Sequence, residues 1–427
     1  MSRSGPALSR RLGLRDAVTI GIGSMLGAGV FTVFAPAASA AGAGLLIGLL
    51  VAALVAFCNA SSSAQLAAQY PTSGGSYVYG RERLGHWPGF LAGWSFVVGK
   101  TASCAAMALA FAAYAAPAGW EKPVAVVAVL ALATLNYFGV ARTAALTRIV
   151  VVVVLAVLAL VLVGAAVGGA PRAPSLSLGD LFEPGVYGIL QSAGLLFFAF
   201  AGFARIATMG EEVRNPRRTI PRAVLTALGV VLVLYALIAV AVLTVLSPER
   251  LAASAAPLVD VVLAGPIPWA SPVVRVGAAA AALGALLALI AGVGRTALAM
   301  ARNADLPAWL GAVHPRYRVP HHAEIALAAV VSVLVLATDL RGAIGFSSFG
   351  VLLYYVVANL SALTQTKADR RYPRALQVVG ALGCLVLVAT LPPESIAVGL
   401  AVLLVGVVYR LGRMRVAARG GRPENQT

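Results

Sequence analysis

The segment that decides the fold is GIGSMLGAGVF, residues 21–31, which carries four glycines inside a long apolar stretch. A second apolar stretch contains GLLFFAFAGFAR, residues 194–205, with two more glycines. Because glycine is a poor helix former, each run predicts an interruption in an otherwise helical segment. Interrupted backbone is tolerated inside a membrane only where it faces a cavity or a ligand. The two runs therefore predict a binding site within a membrane protein.

The composition independently predicts a membrane protein. Of 427 residues, 60% are hydrophobic and only 11% are charged, and the mean hydropathy is +0.91. Soluble domains carry about 25% charged residues. Stretches of roughly 20 apolar residues, the length that spans a bilayer, recur along nearly the whole chain. We predict an all-α integral membrane protein of about 12 transmembrane helices, at residues 16–40, 42–68, 89–115, 123–140, 149–168, 187–210, 222–246, 273–301, 323–338, 343–366, 375–391 and 396–411.

The basic residues alternate between the two sides of the predicted membrane. Of the 32 lysines and arginines, 24 fall in the termini and the even-numbered loops, whereas five fall in the odd-numbered loops. Cytoplasmic loops carry the excess of positive charge, so both tails, 1–15 and 412–427, are predicted to be cytoplasmic. The basic residues that produce the net charge of +17 are thus explained by the orientation of the chain in a cell (plasma or inner) membrane. We do not interpret this charge as a sign of nucleic-acid binding. The longer outer segment 247–272 is amphipathic and predicts a short helix on the membrane surface.

The two glycine-rich interruptions lie five spans apart within the transmembrane domain, 16–411. Since five is odd, the two halves of the domain would have opposite orientations in the membrane. We predict a first repeat at about 16–168 and a second at about 187–366. Paired broken helices in inverted repeats are typical of a transporter with its site near the bilayer midplane.

Backbone chemistry suggests what such a site binds. The N–H groups at the start of a half-helix carry partial positive charge and suit a carboxylate, whereas the carbonyls at a helix end suit an ammonium. Together they predict a zwitterion site whose carboxylate pole is Gly27, Ala28, Gly29 and Val30 and whose ammonium pole is the carbonyls of Phe200, Ala201 and Phe203. Two plainer interpretations remain: Gly23-x-x-x-Gly27 as a helix-packing motif, and the phenylalanines as core packing.

Lys100 is predicted to lie near the midplane of the third span. It comes about eleven residues into that span, roughly 16 Å deep at 1.5 Å per residue, and all fifteen acids fall nearer the membrane surfaces. Charged groups at this depth are costly and are functional candidates. Lys100 could carry a proton during transport or take the place of a bound sodium ion. Alternatively, it could bond to backbone carbonyls and support the broken helices.

Four further charged residues are candidates for an inner gate: Arg205, Glu211, Glu212 and Arg295. Arg205 follows the second interruption, and either pairing with Glu211 or Glu212 or direct contact with substrate fits this position. Arg295 either closes the gate or extends toward the cytoplasmic surface.

Catalytic and metal-binding constellations are missing from the sequence. The four histidines, His86, His314, His321 and His322, fall in predicted cytoplasmic loops without cysteines or acids at ligand spacing. We therefore predict that the protein is not an enzyme and binds neither a metal ion nor a cofactor.

Several segments carry a resemblance to a known family. They are GIGSMLGAGVF, YPTSGGSYVYGRERLGHWPGFLAGW, FFAFAGFARIATMGEEVRNPRRTIPRAV and GVGRTALAMARNADLP with HPRYRVPHHA. With these segments in this order, nearly the whole chain resembles the amino acid–polyamine–organocation (APC) superfamily of permeases. The resemblance implies a five-plus-five inverted repeat with two extra helices at about 375–411, and alternating access.

The resemblance also places the substrate at the two poles described above. The chain departs from the family where Ala204 and Arg205 stand in the sixth-span motif, and where the fifth span, at 150–163, lacks the lysine of some proton-coupled members. Our leading hypothesis is a proton-coupled amino acid symporter. An amino acid or amine exchanger and a membrane sensor that does not transport are the alternatives.

Overall fold

A computed structural model describes residues 12–27, 29–72, 74–139, 144–167 and 177–420. Apart from one isolated bridge between Leu12 and Val213, every regular element in these ranges is helical. The α-helices of the first half are α1 (Leu14–Leu26), α2 (Gly29–Thr32), α3 (Phe34–Ala41), α4 (Leu45–Gln69), α5 (Gly75–Leu84), α6 (His86–Ala115), α7 (Glu121–Tyr137), α8 (Ala144–Ala166) and α9 (Leu178–Phe182). Those of the second half are α10 (Gly185–Phe200), α11 (Ala204–Ala207), α12 (Pro216–Val245), α13 (Pro248–Ala253), α14 (Pro257–Ala264), α15 (Ser271–Arg302), α16 (His321–Ala337), α17 (Leu340–Leu363), α18 (Arg374–Thr390) and α19 (Pro393–Gly420).

Nine helical segments of the described chain are long and apolar enough to cross a membrane. They are Leu14–Thr32, Phe34–Gln69, His86–Ala115, Thr147–Ala166, Gly185–Ala207, Pro216–Val245, Pro268–Arg302, Leu340–Leu363 and Pro393–Arg415. Two shorter helices, α16 and α18, are also apolar. The predicted all-α, multi-pass membrane architecture is confirmed. The count of twelve spans and the inverted repeat stay predictions.

The first two predicted spans meet at a sharp turn. α3 ends at Ala41, and Gly42 follows with φ +47°, a left-handed conformation that favours glycine. A 3-10 turn over Gly42–Gly44 then leads into α4. The predicted boundary between the two spans lies at this turn.

The centre of the bundle is built on close contact between α6 and α17. A Cβ added to Gly99 would lie 3.1 Å from the Cα of Gly350, so two glycines allow the backbones to touch, as small residues do in membrane helix pairs. One turn further along, the hydroxyls of Ser103 and Ser347 are 2.6 Å apart. This hydrogen bond satisfies two polar groups that lipid could not solvate.

The segment between α12 and α15 differs from the predicted surface helix. It contains two short helices, α13 and α14, and the apolar side chains of α14 point into the protein: Leu258, Val259 and Val262 are fully buried. α14 packs against α8, α12 and α15. The segment is amphipathic, but the apolar face of α14 packs on neighbouring helices and not on the membrane surface.

A polar cluster around Asp305 joins three distant parts of the chain. Its buried carboxylate accepts hydrogen bonds from the Tyr77 hydroxyl (2.7 Å) and from Arg81 (2.8 Å) on α5, and pairs with Arg410 on α19. Burial, then the bond to Asp305, raises the pKa of Tyr77 to about 12, so this hydroxyl stays a donor. Because a buried carboxylate needs such partners, the cluster fixes α5 and α19 to the loop after α15.

Candidate functional site

The first predicted interruption is present. α1 ends at Leu26, and Gly27 leaves the helical region with φ −25° and ψ −141°. Helical hydrogen bonding resumes at Gly29 and continues into α3, because Val33 N–H donates to the Gly29 carbonyl and Ala37 N–H to the Val33 carbonyl. Ala28, a predicted binding residue, lies outside the described residues. The first span is therefore two half-helices, 14–26 and 29–41, and we call the gap between them the first-span break.

The second predicted interruption is milder. α10 runs to Phe200, a 3-10 turn spans Ala201–Phe203, and α11 follows without an unwound loop. The Ala201 N–H is shared between the carbonyls of Phe197 and Phe198, and the backbone dihedrals stay near the right-handed helical region. The chain therefore keeps its direction while its hydrogen-bond pattern changes. We call this segment the 3-10 turn.

Two glycines bring the segments that flank the first-span break into direct contact with the 3-10 turn and with the end of α10. A Cβ added to Gly202 would overlap the carbonyl of Ser24 and lie 2.6 Å from the Met25 nitrogen. On the other side of the break, a Cβ on Gly29 would lie 3.0 Å from the Cα of Ala199. The two sequence motifs that predicted the site thus meet backbone to backbone.

Tyr235 of α12 forms hydrogen bonds with both α1 and α10. Its hydroxyl oxygen lies 2.7 Å from the Met25 carbonyl, at the end of α1, and 3.2 Å from the Ala199 carbonyl on α10. The carbonyls in the last turn of a helix lack intrahelical partners, and Tyr235 supplies one. The sequence analysis missed this residue. The available signal was a single tyrosine within an aliphatic span, whose hydroxyl needs a partner when buried.

Replacing Tyr235 with phenylalanine should weaken this junction without unfolding the protein. Only the hydroxyl is lost, and the ring that packs on Phe200 at 5.1 Å is kept. One hydrogen bond contributes about 1 kcal/mol, so the hypothesis of an amino acid symporter predicts that counterflow in proteoliposomes falls about fivefold to tenfold. Tyr187→Phe, at an exposed tyrosine, is the control. Equal counterflow in both variants would contradict the assigned role.

The predicted aromatic walls are buried within the bundle. Phe200 and Phe203 are both fully buried, and the Phe203 ring stacks on Tyr355 of α17 at 5.0 Å. Val30, on the other pole, is also fully buried. The predicted residues on both sides of the first-span break are therefore buried by packing in this structure.

Lys100 is buried on α6, with 8% of its surface exposed. Its ammonium forms neither an ion pair nor a hydrogen bond with any residue in the described ranges. Met107, seven residues further along α6, lies on nearly the same helix face and approaches Gly27, since a Cβ on Gly27 would lie 4.0 Å from its sulfur. Seven residues of helix span about 10 Å. Lys100 therefore lies about two turns from the first-span break.

A cavity of about 310 Å³ lies next to the first-span break, on the side of α1. Gly23 and Ser24, in the last turn of α1 before the break, line it. Its other walls come from α7, α8, α11, α15 and α16. Three of the four predicted gate residues line it, namely Arg205, Glu212 and Arg295; Glu211 does not. Glu324 of α16 also lines it, and we call this space the charged cavity.

Arg205 forms no ion pair with either predicted acid partner. No nitrogen–oxygen distance within 4.0 Å joins its guanidinium to Glu211, Glu212 or any other carboxylate of the described chain. Arg295 lines the same cavity as Arg205 and Glu324.

Glu324 is a second residue that the sequence analysis did not single out. Only 3% of its surface is exposed, although it lies in the first turn of α16. It packs against Gly294, where a Cβ would be 3.1 Å from its Cγ. The sequence places it at the start of the predicted span 323–338, near a membrane surface, and the packing of α16 on α15 buries it.

Three of the four histidines form an aromatic cluster. His321 has ring centroids 5.3 Å from His314 and 4.2 Å from His322, and Tyr137 packs on the cluster. Across the described residues, no group of three or more His, Cys, Asp and Glu side chains is arranged to hold a metal ion.

Comparison with known proteins establishes the family. The sequence matches the family described as amino acid permease over residues 16–417. An uncharacterized transporter of Mycobacterium tuberculosis is 59% identical over 415 residues, which cover 97% of this chain and 93% of that protein. The chain belongs to the amino acid permease family. The resemblance to APC superfamily permeases is thus confirmed, and so is the prediction of a transporter and not an enzyme.

Two more distant relatives of this permease have named substrates. A branched-chain amino acid permease of Bacillus subtilis is 26% identical over 433 residues, covering 94% of this chain and 92% of its own length. A chloroplastic cationic amino acid transporter of Arabidopsis thaliana is 28% identical over 386 residues, covering 83% of this chain and 65% of its own length. The permease therefore resembles transporters of both apolar and cationic amino acids.

Proposed function

We propose that the permease is a secondary active transporter that couples amino acid uptake to protons by alternating access. The observation that supports this proposal is the direct contact of the two half-helices that flank the first-span break, α1 with the 3-10 turn and Gly29 with the end of α10. That contact sets the N-terminal end of the half-helix 29–41 beside carbonyls near the end of α10. The carboxylate of a zwitterion would bind at Gly27, Ala28, Gly29 and Val30, and its ammonium at the carbonyls of Phe200, Ala201 and Phe203.

We further propose twelve spans in the cell membrane with both termini in the cytoplasm. The repeats would comprise about 16–168 and 187–366, followed by two helices at about 375–411. The alternation of basic loops supports the orientation, and the five-span interval between the two interruptions supports the repeat. On this orientation the charged cavity would open toward the cytoplasm. Arg205, Glu212 and Arg295, which line it, would form the inner gate together with Glu211, which lies outside the lining.

The side chain of the substrate is proposed to be neutral and apolar. The side chains next to the first-span break are apolar: Met107 and Ala285 lie near Gly27, and Phe200 lies near Tyr235. A cationic side chain would need a carboxylate at this depth, and the charged cavity holds its acids farther toward the cytoplasm. The branched-chain permease of Bacillus subtilis is the relative whose named substrate fits this surface.

Reconstituted protein tests this function directly. We expect proteoliposomes preloaded with L-leucine to exchange external labelled L-leucine at least tenfold faster than L-arginine, and an inward proton gradient to drive net uptake. Protein-free liposomes are the control. Binding of L-leucine without exchange would favour the sensor, and exchange that never becomes net uptake would favour the exchanger. Faster exchange of L-arginine would overturn the apolar pocket.

A further inference from the structure

The charged cavity contains opposite charges that are not paired with one another. Arg205 and Arg295 face it together with Glu324, yet no ion pair within 4.0 Å joins them in the part of the chain that the structure describes. Opposite charges in a cavity of low dielectric attract strongly and normally meet. A gap between them leaves room for a third group that carries both charges.

Glu324 supplies the negative end of this arrangement. It is 97% buried, since only 3% of its surface is exposed, and its Oε2 has no hydrogen-bond partner. A buried carboxylate oxygen without a donor is costly, and in native proteins such an atom is usually partnered. The space beside it is the charged cavity, so a donor from a bound molecule is the partner it lacks.

The two arginines supply the positive end. The Arg205 guanidinium forms no ion pair within 4.0 Å with any carboxylate of the described residues, and it lines the cavity together with Arg295. Two guanidinium groups that line one small cavity repel each other, and an anion between them would offset this repulsion. A guanidinium fork matches a carboxylate in a bidentate arrangement, so a carboxylate is the chemical group that best fits this pair.

The position of the cavity connects it to the proposed transport site. Gly23 and Ser24, in the last turn of α1 before the first-span break, line the cavity, and Gly202 of the 3-10 turn packs on Ser24. A molecule that leaves the break on this side enters the charged cavity first. Its volume of about 310 Å³ is at the lower end of small-molecule pockets, which suits one amino acid.

We propose that the charged cavity is a second zwitterion site through which the amino acid passes on the cytoplasmic side. Arg205 and Arg295 would bind the carboxylate, and Glu324 would bind the ammonium. Glu212, beside Arg205, and Arg318, at the rim, complete the charged lining. This inference rests on the proposed function, because it takes an amino acid as the substrate.

The test is the sidedness of transport by the full-length protein in proteoliposomes of defined orientation. With L-leucine as the probe, Glu324→Gln and Arg295→Gln should each raise the KM on the cytoplasmic side at least tenfold. The KM on the outer side should change less than twofold. The matched controls are Arg302→Gln, on the same helix as Arg295, and Glu82→Gln; both residues are exposed, and neither variant should change either KM.

The possible results distinguish failure of the second zwitterion site from failure of the proposed transport function. Wild-type transport with an unchanged cytoplasmic KM in both cavity variants would overturn the second site and leave the transporter intact. Absence of L-leucine transport by the wild type would overturn the proposed function instead. Equilibrium binding of labelled L-leucine then decides the second site: two molecules per wild-type chain and one per Glu324→Gln chain support it, and equal numbers overturn it.

Discussion

Replacing Gly202 with alanine should reduce L-leucine transport about 100-fold. The added Cβ would overlap the Ser24 carbonyl and crowd the Met25 nitrogen, and backbone atoms cannot turn away as a flexible side chain can. Overpacking of this kind costs about 1–3 kcal/mol or more. At 1.36 kcal/mol per tenfold change in rate, a cost near 3 kcal/mol corresponds to the expected loss. Counterflow in proteoliposomes is the measurement.

Gly229→Ala is the matched control for this variant. Gly229 lies inside α12, and a Cβ there would meet nothing within 4 Å. Alanine favours the helix by about 1 kcal/mol, so this variant should transport normally and unfold at the same or a slightly higher temperature. If Gly202→Ala matched it in both transport and thermal stability, close contact between the first-span break and the 3-10 turn would not be needed for function.

Replacing Lys100 with alanine should abolish uptake driven by a proton gradient while leaving L-leucine binding unchanged. Lys100 is buried about two turns from the first-span break, and no residue in the described ranges pairs with its ammonium. A buried amine without a counter-charge is costly in its protonated form, which suits a group that accepts and releases a proton in each cycle. We expect acidification-driven uptake to fall at least 50-fold, and L-leucine affinity, measured by equilibrium binding, to change less than threefold.

Lys122→Ala controls for the loss of a positive charge. Lys122 is exposed at the start of α7 and donates to the Leu336 carbonyl, so its removal should leave uptake unchanged. Undiminished proton-driven uptake in Lys100→Ala would remove Lys100 from the mechanism. Loss of binding together with uptake would support the alternative in which Lys100 only supports the broken helices.

The parts of the site predicted from sequence are those set by local chemistry. Four glycines within eleven residues disfavour a continuous helix wherever the chain packs, and the break at Gly27 lies among them. The 3-10 turn was predicted less well, because one glycine at 202 permits a tightened turn as readily as an unwound loop. The choice between them depends on the surface of α1 at Ser24, which is far away in the sequence.

The residues that the sequence analysis missed depend on contacts between distant segments. The Tyr235 hydroxyl donates a hydrogen bond to the Met25 carbonyl, 210 positions away. A local sequence pattern cannot predict a partner so distant in the chain. Glu324 lies at the start of a predicted span, and its burial follows from the packing of α16 on α15 at Gly294. The segment 247–272 is a further example. Its amphipathic pattern predicts that one face is apolar, but not whether lipid or protein covers that face.

The single hydroxyl of Tyr235 has a consequence for the transport cycle. Its one proton is offered to two buried carbonyls, those of Met25 and Ala199, in the empty permease. A buried polar group that loses its hydrogen-bond partner costs about 1–3 kcal/mol. In the transport cycle that we propose, this internal donor would stabilise the unloaded carrier, the form that must return before the next uptake.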